Sequence, residues 1–129
     1  MSDDAFTPGR PVHFEIHAAD AARALAFYTS VFGWETEDWS EYAGMPYFGL
    51  STGEGPGIDG AIMRRDAGMP PVINTIDVDS VDDAVGRVEA NGGKVAMPKM
   101  AVPGVGYLAY CVDTEGNMFG MMQRDEAAG

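Results

Sequence analysis

Three side chains that could do chemistry stand close together near the start of the chain. His13, Glu15 and His17 alternate with apolar residues in the segment Val12-His13-Phe14-Glu15-Ile16-His17-Ala18. On a β-strand, residues two apart point to the same face, so these three should share one face. Two imidazoles and a carboxylate are suitable ligands for zinc, iron or nickel. The outer two would lie roughly 13 Å apart, however, which is too far to share one ion.

We therefore favour a polar cavity wall, which supplies hydrogen bonds to a ligand and could include a general base. A metal held by Glu15, one of the two histidines and residues from elsewhere in the chain is one alternative. A strand face that only meets solvent is the other.

The elements that must position these side chains repeat along the chain with an offset of 60 residues. Each half starts with an alternating strand and continues with a helix that begins at a capping residue and stops at glycine. The matched pairs are Val12 with Val72, Asp20 with Ser80, and Gly33 with Gly93. Short strands then follow at 34–39, 46–52 and 58–64, and at 94–97, 107–113 and 118–123. The pattern predicts one α+β domain over 1–129, made of two βαβββ modules at 11–64 and 72–123 with a linker at 65–71.

The offset also extends the set of candidate binding residues. Thr75 and Asp77 take the places of Glu15 and His17, and the more apolar face of each strand should lie under the helix. Tyrosines on later strands could stack on a ligand or hydrogen-bond to it, and methionines could line an adaptable apolar wall. The predicted ligand-binding cleft comprises His13, Glu15, His17, Tyr47, Thr75, Asp77, Tyr107, Met118 and Met122. The sequence assigns no catalytic residue.

Composition excludes several classes of partner. Twenty acidic and 8 basic residues give a net charge of −12, which repels nucleic acid and anionic membrane surfaces. The apolar runs are too short to cross a bilayer, and Met1-Ser2-Asp3-Asp4 is acidic where a signal peptide is basic, so a cytoplasmic protein is expected. The single cysteine, Cys111, allows no internal disulfide and is interpreted as structural. A Lys-poor acidic surface suits a high-salt cytoplasm, and an ordinary acidic protein is the alternative.

Four segments in this order resemble the vicinal oxygen chelate superfamily, which includes glyoxalase I, extradiol dioxygenases and bleomycin-resistance proteins. They are Val12-His13-Phe14-Glu15-Ile16, Ala26-Phe27-Tyr28-Thr29-Ser30-Val31-Phe32-Gly33-Trp34, Gly92-Gly93-Lys94-Val95 and Asp113-Thr114-Glu115-Gly116-Asn117. The last is similar to the family's Asp-Pro-x-Gly-Asn turn, with Thr114 in place of proline. The resemblance covers residues 12–123 and implies a glyoxalase-like fold, in which two βαβββ modules form a cupped mixed sheet. It also implies a homodimer, for which Trp34, Trp39 and Tyr42 are candidate contact residues.

The resemblance also locates the family's four metal-ligand positions. His13 matches the first of them, whereas Gly60 or Ala61, then Ile73, then Gly120 stand at the others and supply no donor. A divalent metal is therefore disfavoured and no cofactor is assigned. The expected function is a small-molecule-binding protein that lacks the full metal site. A metal-dependent lyase, isomerase or dioxygenase, and a non-catalytic dimeric interaction module, are the alternatives.

Overall fold

The computed structural model describes residues 7–129 of the chain. The acidic segment Met1-Ser2-Asp3-Asp4, on which part of the expected location depends, lies outside the described residues. The strands are β1 (Pro11–Ala18), β2 (Glu35–Asp38), β3 (Tyr47–Ser51), β4 (Asp59–Arg64), β5 (Val72–Asp77), β6 (Lys94–Val102), β7 (Gly106–Val112) and β8 (Met118–Arg124). The helices are α1 (Ala21–Phe32), α2 (Ser40–Ala43) and α3 (Val81–Ala90).

The chain divides into two compact units. The first unit is Val12–Asn74, and the second unit is Thr75–Gly129 together with residues 7–11. In the first unit the strand order is β2-β3-β4-β1, with β1 and β4 parallel and the other pairs antiparallel. In the second unit the end of β5 pairs in parallel with β8, and the order continues antiparallel through β7 to β6.

Helix α1 begins and ends where the capping residues predict. The Asp20 side chain accepts a hydrogen bond from the backbone N–H of Arg23 at 3.0 Å, which satisfies one free donor of the first turn. Gly33 ends the helix in the left-handed conformation at φ 75°, which favours glycine over residues with a Cβ atom. The inner face of α1 packs on the apolar face of the first unit's sheet, and this core comprises Ala21, Leu50 and Ile62 with Phe14, Ile16, Leu25 and Tyr28 around them.

The second unit is built the same way. Ser80 caps α3 by accepting from the backbone N–H of Asp83 at 3.1 Å. The core under α3 comprises Ala84, Cys111 and Met121, packed with Val78, Val85, Val88, Val95 and Phe119. Cys111 is fully buried, and burial raises the pKa of its thiol, as expected for a structural cysteine.

The predicted α+β class and the βαβββ order of each half are confirmed, with strand ends within one or two residues for most elements. Two features were not predicted: the short helix α2, and the continuation of β6 to Val102 past the irregular pairing between Val95 and Met100. Within residues 7–129, none of the helices has the length and apolar character needed to span a bilayer.

Candidate functional site

The face of the first unit's sheet that points away from α1 carries the histidines. Strand pairing places His13 opposite Asp59, Glu15 opposite Ala61 and His17 opposite Met63, and paired residues share a face. Tyr47 on β3 is also paired with Met63. The structure therefore brings all four candidate residues of this unit, His13, Glu15, His17 and Tyr47, to one face.

His17 and Glu15 form a buried pair. The His17 Nε2 atom lies 3.0 Å from Glu15 Oε1, and its Nδ1 atom lies 2.9 Å from the carbonyl oxygen of Pro70. The two side chains are 1% and 7% exposed. Because both ring nitrogens face oxygen acceptors, the ring satisfies both only when it is protonated. The hydrogen bond to Glu15 accordingly raises the pKa of His17, against the opposing effect of burial.

His17 also forms hydrogen bonds that hold the predicted linker, residues 65–71, against the end of β1. Besides the contact with Pro70, the His17 backbone N–H donates to the carbonyl of Pro71 at 2.8 Å. The guanidinium of Arg65 donates to the His17 carbonyl, also at 2.8 Å. His17 thus has a structural role. Replacement of Glu15 would remove the buried partner of the His17 ring.

His13 has a different setting. It lines a cavity of about 470 Å³ at the other end of β1, and the described residues give its imidazole no hydrogen-bond partner. Burial lowers the pKa of His13, while the nearby carboxylates of Glu15 and Asp59 oppose that shift. The ring is therefore neutral near pH 7, with one nitrogen able to donate and the other able to accept a hydrogen bond or a proton. The remaining lining residues are Glu35, Thr36, Glu37, Trp39, Gly49, Leu50, Ser51, Asp59 and Gly60.

An indole ring forms part of the cavity wall. A Cβ atom on Gly49 would lie 3.0 Å from Trp39 Nε1, so the ring lies directly against this glycine. Trp39 is still 43% exposed and makes an edge-on contact with Tyr42. By contrast, Trp34 lies on the α1 side, where its ring stacks parallel to Tyr28 at 5.4 Å. The three aromatic residues expected at a dimer contact therefore do not share one surface of this unit.

The second unit carries the other predicted cleft residues. Strand pairing puts Thr75 opposite Gly120 and Asp77 opposite Met122, on a face that Met118 shares by alternation. The buried carboxylate of Asp77 accepts two hydrogen bonds from Arg124, at 3.4 Å from Nε and at 2.5 Å from Nη2. Tyr107 instead lies on the α3 side, with the Lys99 ammonium 4.7 Å from its ring centre. The structure thus does not bring Tyr107 to the face of Thr75.

Thr75 is unusual among these side chains. It is 3% exposed, and its Oγ1 atom has no hydrogen-bond partner among the described residues. A Cβ atom on Gly120 would lie 3.0 Å from this oxygen and 3.3 Å from Tyr110 Cε1. The threonine hydroxyl and the tyrosine ring therefore close over Gly120. A buried hydroxyl without a partner costs free energy, and most such groups in proteins are paired.

The donors present do not fit the family's metal site. The side-chain position of Gly60 faces Phe14 on the α1 side, so Ala61 is the residue that shares the face of His13 and Glu15. Ile73 is 1% exposed and has no donor atom. Within the described part of the chain, no three His, Cys, Asp or Glu side chains converge on a common point.

Sequence reasoning missed the acidic and aromatic neighbours of His13. Alternation puts Asp59 on the same face as Ala61 and Met63, but only the register of β1 against β4 brings it opposite His13. The two glutamates of β2, Glu35 and Glu37, and the indole of Trp39 reach the cavity through the β2–β3 pairing and the turn into α2. Alternation from Glu35 to Glu37 was a usable signal for a shared face.

Comparison with known proteins agrees with this fold. The family model described as Glyoxalase/Bleomycin resistance protein/Dioxygenase superfamily matches residues 10–121. A Mycobacterium tuberculosis protein named "Putative glyoxylase CFP32" is 33% identical over 96% of this chain and 49% of its own length. The "Anthracycline biosynthesis protein DnrV" of Streptomyces peucetius is 30% identical over 96% of this chain and 52% of its own length. The chain thus spans about half the length of these relatives.

Similarity to a solved structure at low sequence identity shows only that the two folds are alike. Methylmalonyl-CoA epimerase from Mycobacterium tuberculosis superposes with a TM-score of 0.67 at 15% identity, covering 94% of this chain and 92% of the epimerase. The family match covers most of the chain, and the order of strands and helices agrees with it. The chain belongs to the glyoxalase/bleomycin resistance protein/dioxygenase superfamily.

Proposed function

We propose that this protein binds a small organic molecule in the cavity beside His13. The observation that carries the proposal is the cavity itself, which combines a volume of about 470 Å³ with a neutral imidazole and an indole wall. The volume lies within the range of roughly 300–1,000 Å³ that is typical of ligand sites in proteins, although the lining is more polar than in most of them. The imidazole would orient the ligand by a hydrogen bond, and the ring of Trp39 would cover its apolar part.

The charge of the lining favours a ligand that carries a positive charge. Glu35, Glu37 and Asp59 all line the cavity, and no Lys or Arg is among the described residues that line it. Carboxylates attract an ammonium group, and an indole face adds a cation–π contribution of about 0.5–1 kcal/mol at an exposed site. An anionic acyl-CoA of the kind that the epimerase's name specifies would be repelled here.

We further propose that binding needs no metal at the family position. His13 is the one ligand-type side chain at the four family positions, and it is better suited to a hydrogen bond than to holding an ion alone. A neutral histidine can also accept a proton from a bound substrate. A cytoplasmic location and a two-fold homodimer complete the proposed properties of the protein.

The test uses the Trp39 indole as a reporter. In a two-dimensional ¹H–¹⁵N spectrum, benzylamine should shift the Trp39 indole resonance in a saturable way, whereas benzoate, its anionic counterpart, should not. Trp39→Phe identifies the resonance, and Trp34, on the opposite face of the same unit, is the internal control.

Two variants probe the wall. His13→Ala should weaken benzylamine binding by about 0.5–1.5 kcal/mol, because it removes the imidazole and with it one hydrogen bond to the ligand. Asp59→Asn removes one carboxylate from the cavity lining and should also weaken benzylamine binding. Equal shifts with benzoate would refute the charge preference. Failure of both probes and of a neutral aromatic alcohol to shift the resonance would refute the binding site.

A further inference from the structure

Gly49 is a glycine in the middle of a β-strand. It lies at the centre of β3 and pairs with Glu37 of β2 on one side and with Ala61 of β4 on the other. A glycine in a strand interior weakens the strand, because it loses much backbone freedom on folding and has no side chain to pack. Its backbone is not in the left-handed region, so its conformation does not require a glycine. The reason for a glycine must lie in the space that a side chain would occupy.

The indole of Trp39 occupies that space. A Cβ atom on Gly49 would lie 3.0 Å from Nε1 and 3.1 Å from Cδ1 of the ring, which is closer than ordinary van der Waals contact. The backbone N–H of Trp39 donates to the carbonyl of Tyr47 at 2.9 Å and fixes the start of the side chain. The indole N–H has no hydrogen-bond partner within residues 7–129. The ring is therefore held by contacts alone, with the bare backbone of Gly49 and the edge of Tyr42.

The fold gains little from an indole in this position. Trp39 is 43% exposed, so its ring adds little to the core. It is also the N-cap residue of α2, where Ser, Thr, Asp and Asn are favoured, and its side chain makes no capping hydrogen bond. Local choices that disfavour the fold are expected where residues serve a function. Gly49 and Trp39 are two such choices, and both line the cavity beside His13.

We infer that Gly49 is a specificity-determining residue of this cavity, because it seats the Trp39 ring against the sheet as a platform for an aromatic group. This inference rests on the proposed ligand site and narrows its ligands to those that combine an aromatic ring with an ammonium group. The ligand's ring would pack on the indole, and its ammonium would lie toward the carboxylates of the lining, such as Asp59. A side chain at position 49 would lift the indole from the sheet and leave those carboxylates in place.

The experiment places a side chain under the indole. Gly49→Val puts a branched group where the ring lies, and valine suits a β-strand. Benzylamine should bind this variant about two- to fivefold more weakly, which is the size of one lost cation–π contact. Butylamine, which has the ammonium group without the ring, should keep the affinity that it has for the unmodified protein. Both affinities are measured by titration of the backbone amide resonances of Asp59 and Gly60, which line the cavity.

Further variants separate positioning from a general structural effect. In ligand-free Gly49→Val the indole resonance of Trp39 should move, whereas that of Trp34 should stay. Gly49→Ala, which requires the ring to yield by only a few tenths of an ångström, should give a smaller change in the same direction and keeps the test decisive if valine disturbs the fold. In a Trp39→Ala background, Gly49→Val should not weaken benzylamine further. Gly86→Ala, at a position of α3 where a Cβ atom meets open space, should leave both affinities unchanged.

The results distinguish the role of Gly49 from the ligand site itself. An indole resonance that does not move in Gly49→Val, unchanged benzylamine binding, or equal weakening of both amines would overturn the role of Gly49 alone. A loss of benzylamine affinity that persists in the Trp39→Ala background would do the same, because Gly49 would then act by another route. If neither amine binds the unmodified protein, the ligand site is refuted and the specificity role with it.

Discussion

Removal of the His17 imidazole should destabilise the protein strongly. In His17→Leu the buried carboxylate of Glu15 loses its imidazole partner, and the carbonyl of Pro70 loses its donor. Breaking a buried pair by removing one partner costs about 3–5 kcal/mol, and we expect about 3 kcal/mol because Glu15 has further interactions. That is a large part of a typical free energy of unfolding of roughly 5–15 kcal/mol. Urea unfolding monitored by circular dichroism measures it.

The loss should depend on pH in a defined direction. The pKa of His17 is raised from its ordinary value of 6.5, so the folded state binds its proton more tightly than the unfolded chain. The stabilisation is therefore fully present below pH 6.5 and is lost as the pH rises through the raised pKa. The pKa of His13 is lowered, so His13 has the opposite effect and reduces stability as the pH falls below 6.5. Because the chain has 2 histidines, the pH dependence should be measured in a His13→Gln background.

A double replacement provides the control. Glu15→Leu combined with His17→Leu removes both charges, and it should recover much of the loss seen in His17→Leu alone. A cost below about 1 kcal/mol for His17→Leu, or a cost that does not decrease from about pH 6 to about pH 9, would refute the assignment of His17 as a protonated, paired side chain.

Three further outcomes are expected. Thr75→Val should raise the free energy of unfolding by about 1 kcal/mol, because it replaces a buried hydroxyl that has no hydrogen-bond partner within residues 7–129 with a methyl group of similar size; a loss of similar size would show that the hydroxyl is hydrogen-bonded in solution. The melting temperature should rise with potassium chloride, mostly at the low end, as the Debye length falls from about 30 Å at 0.01 M to about 3 Å at 1 M; a flat curve would favour an ordinary acidic protein over a high-salt one. Treatment with a chelator should leave the melting temperature unchanged, and one metal per chain that is lost in His13→Gln would restore the metalloenzyme alternative.

The parts of the fold that depend on local signals could be predicted from the sequence. Asp20, Ser80 and Gly33 set helix ends through hydrogen bonds and backbone conformations within a few residues. Alternation in Val12–Ala18 correctly separated the α1 side of β1 from the side that carries His13, Glu15 and His17. Helix α2 was missed because four residues have too little periodicity to be recognised.

The sequence could not predict which side chains contact one another, because these contacts depend on strand register and on the paths of the turns. Nothing local in the sequence places Asp59 opposite His13, or brings the carbonyl of Pro70 to the ring of His17. The side of the sheet on which Tyr107 lies could not be predicted for the same reason. The predicted strand was correct, but the side that its side chain takes follows from the pairing with Gln123 and Ala101, which puts it on the α3 side.

The repeat itself indicates where a ligand can act. At equivalent positions the two modules bury Glu15 and Thr75, and His17 and Asp77, and each is at most 5% exposed. Buried polar groups need partners: His17 and Glu15 have each other, and Asp77 has Arg124. These three side chains are therefore already used in holding the fold. His13 is half-buried and has no hydrogen bond among the described residues, so both of its ring nitrogens are available to a ligand that enters its cavity.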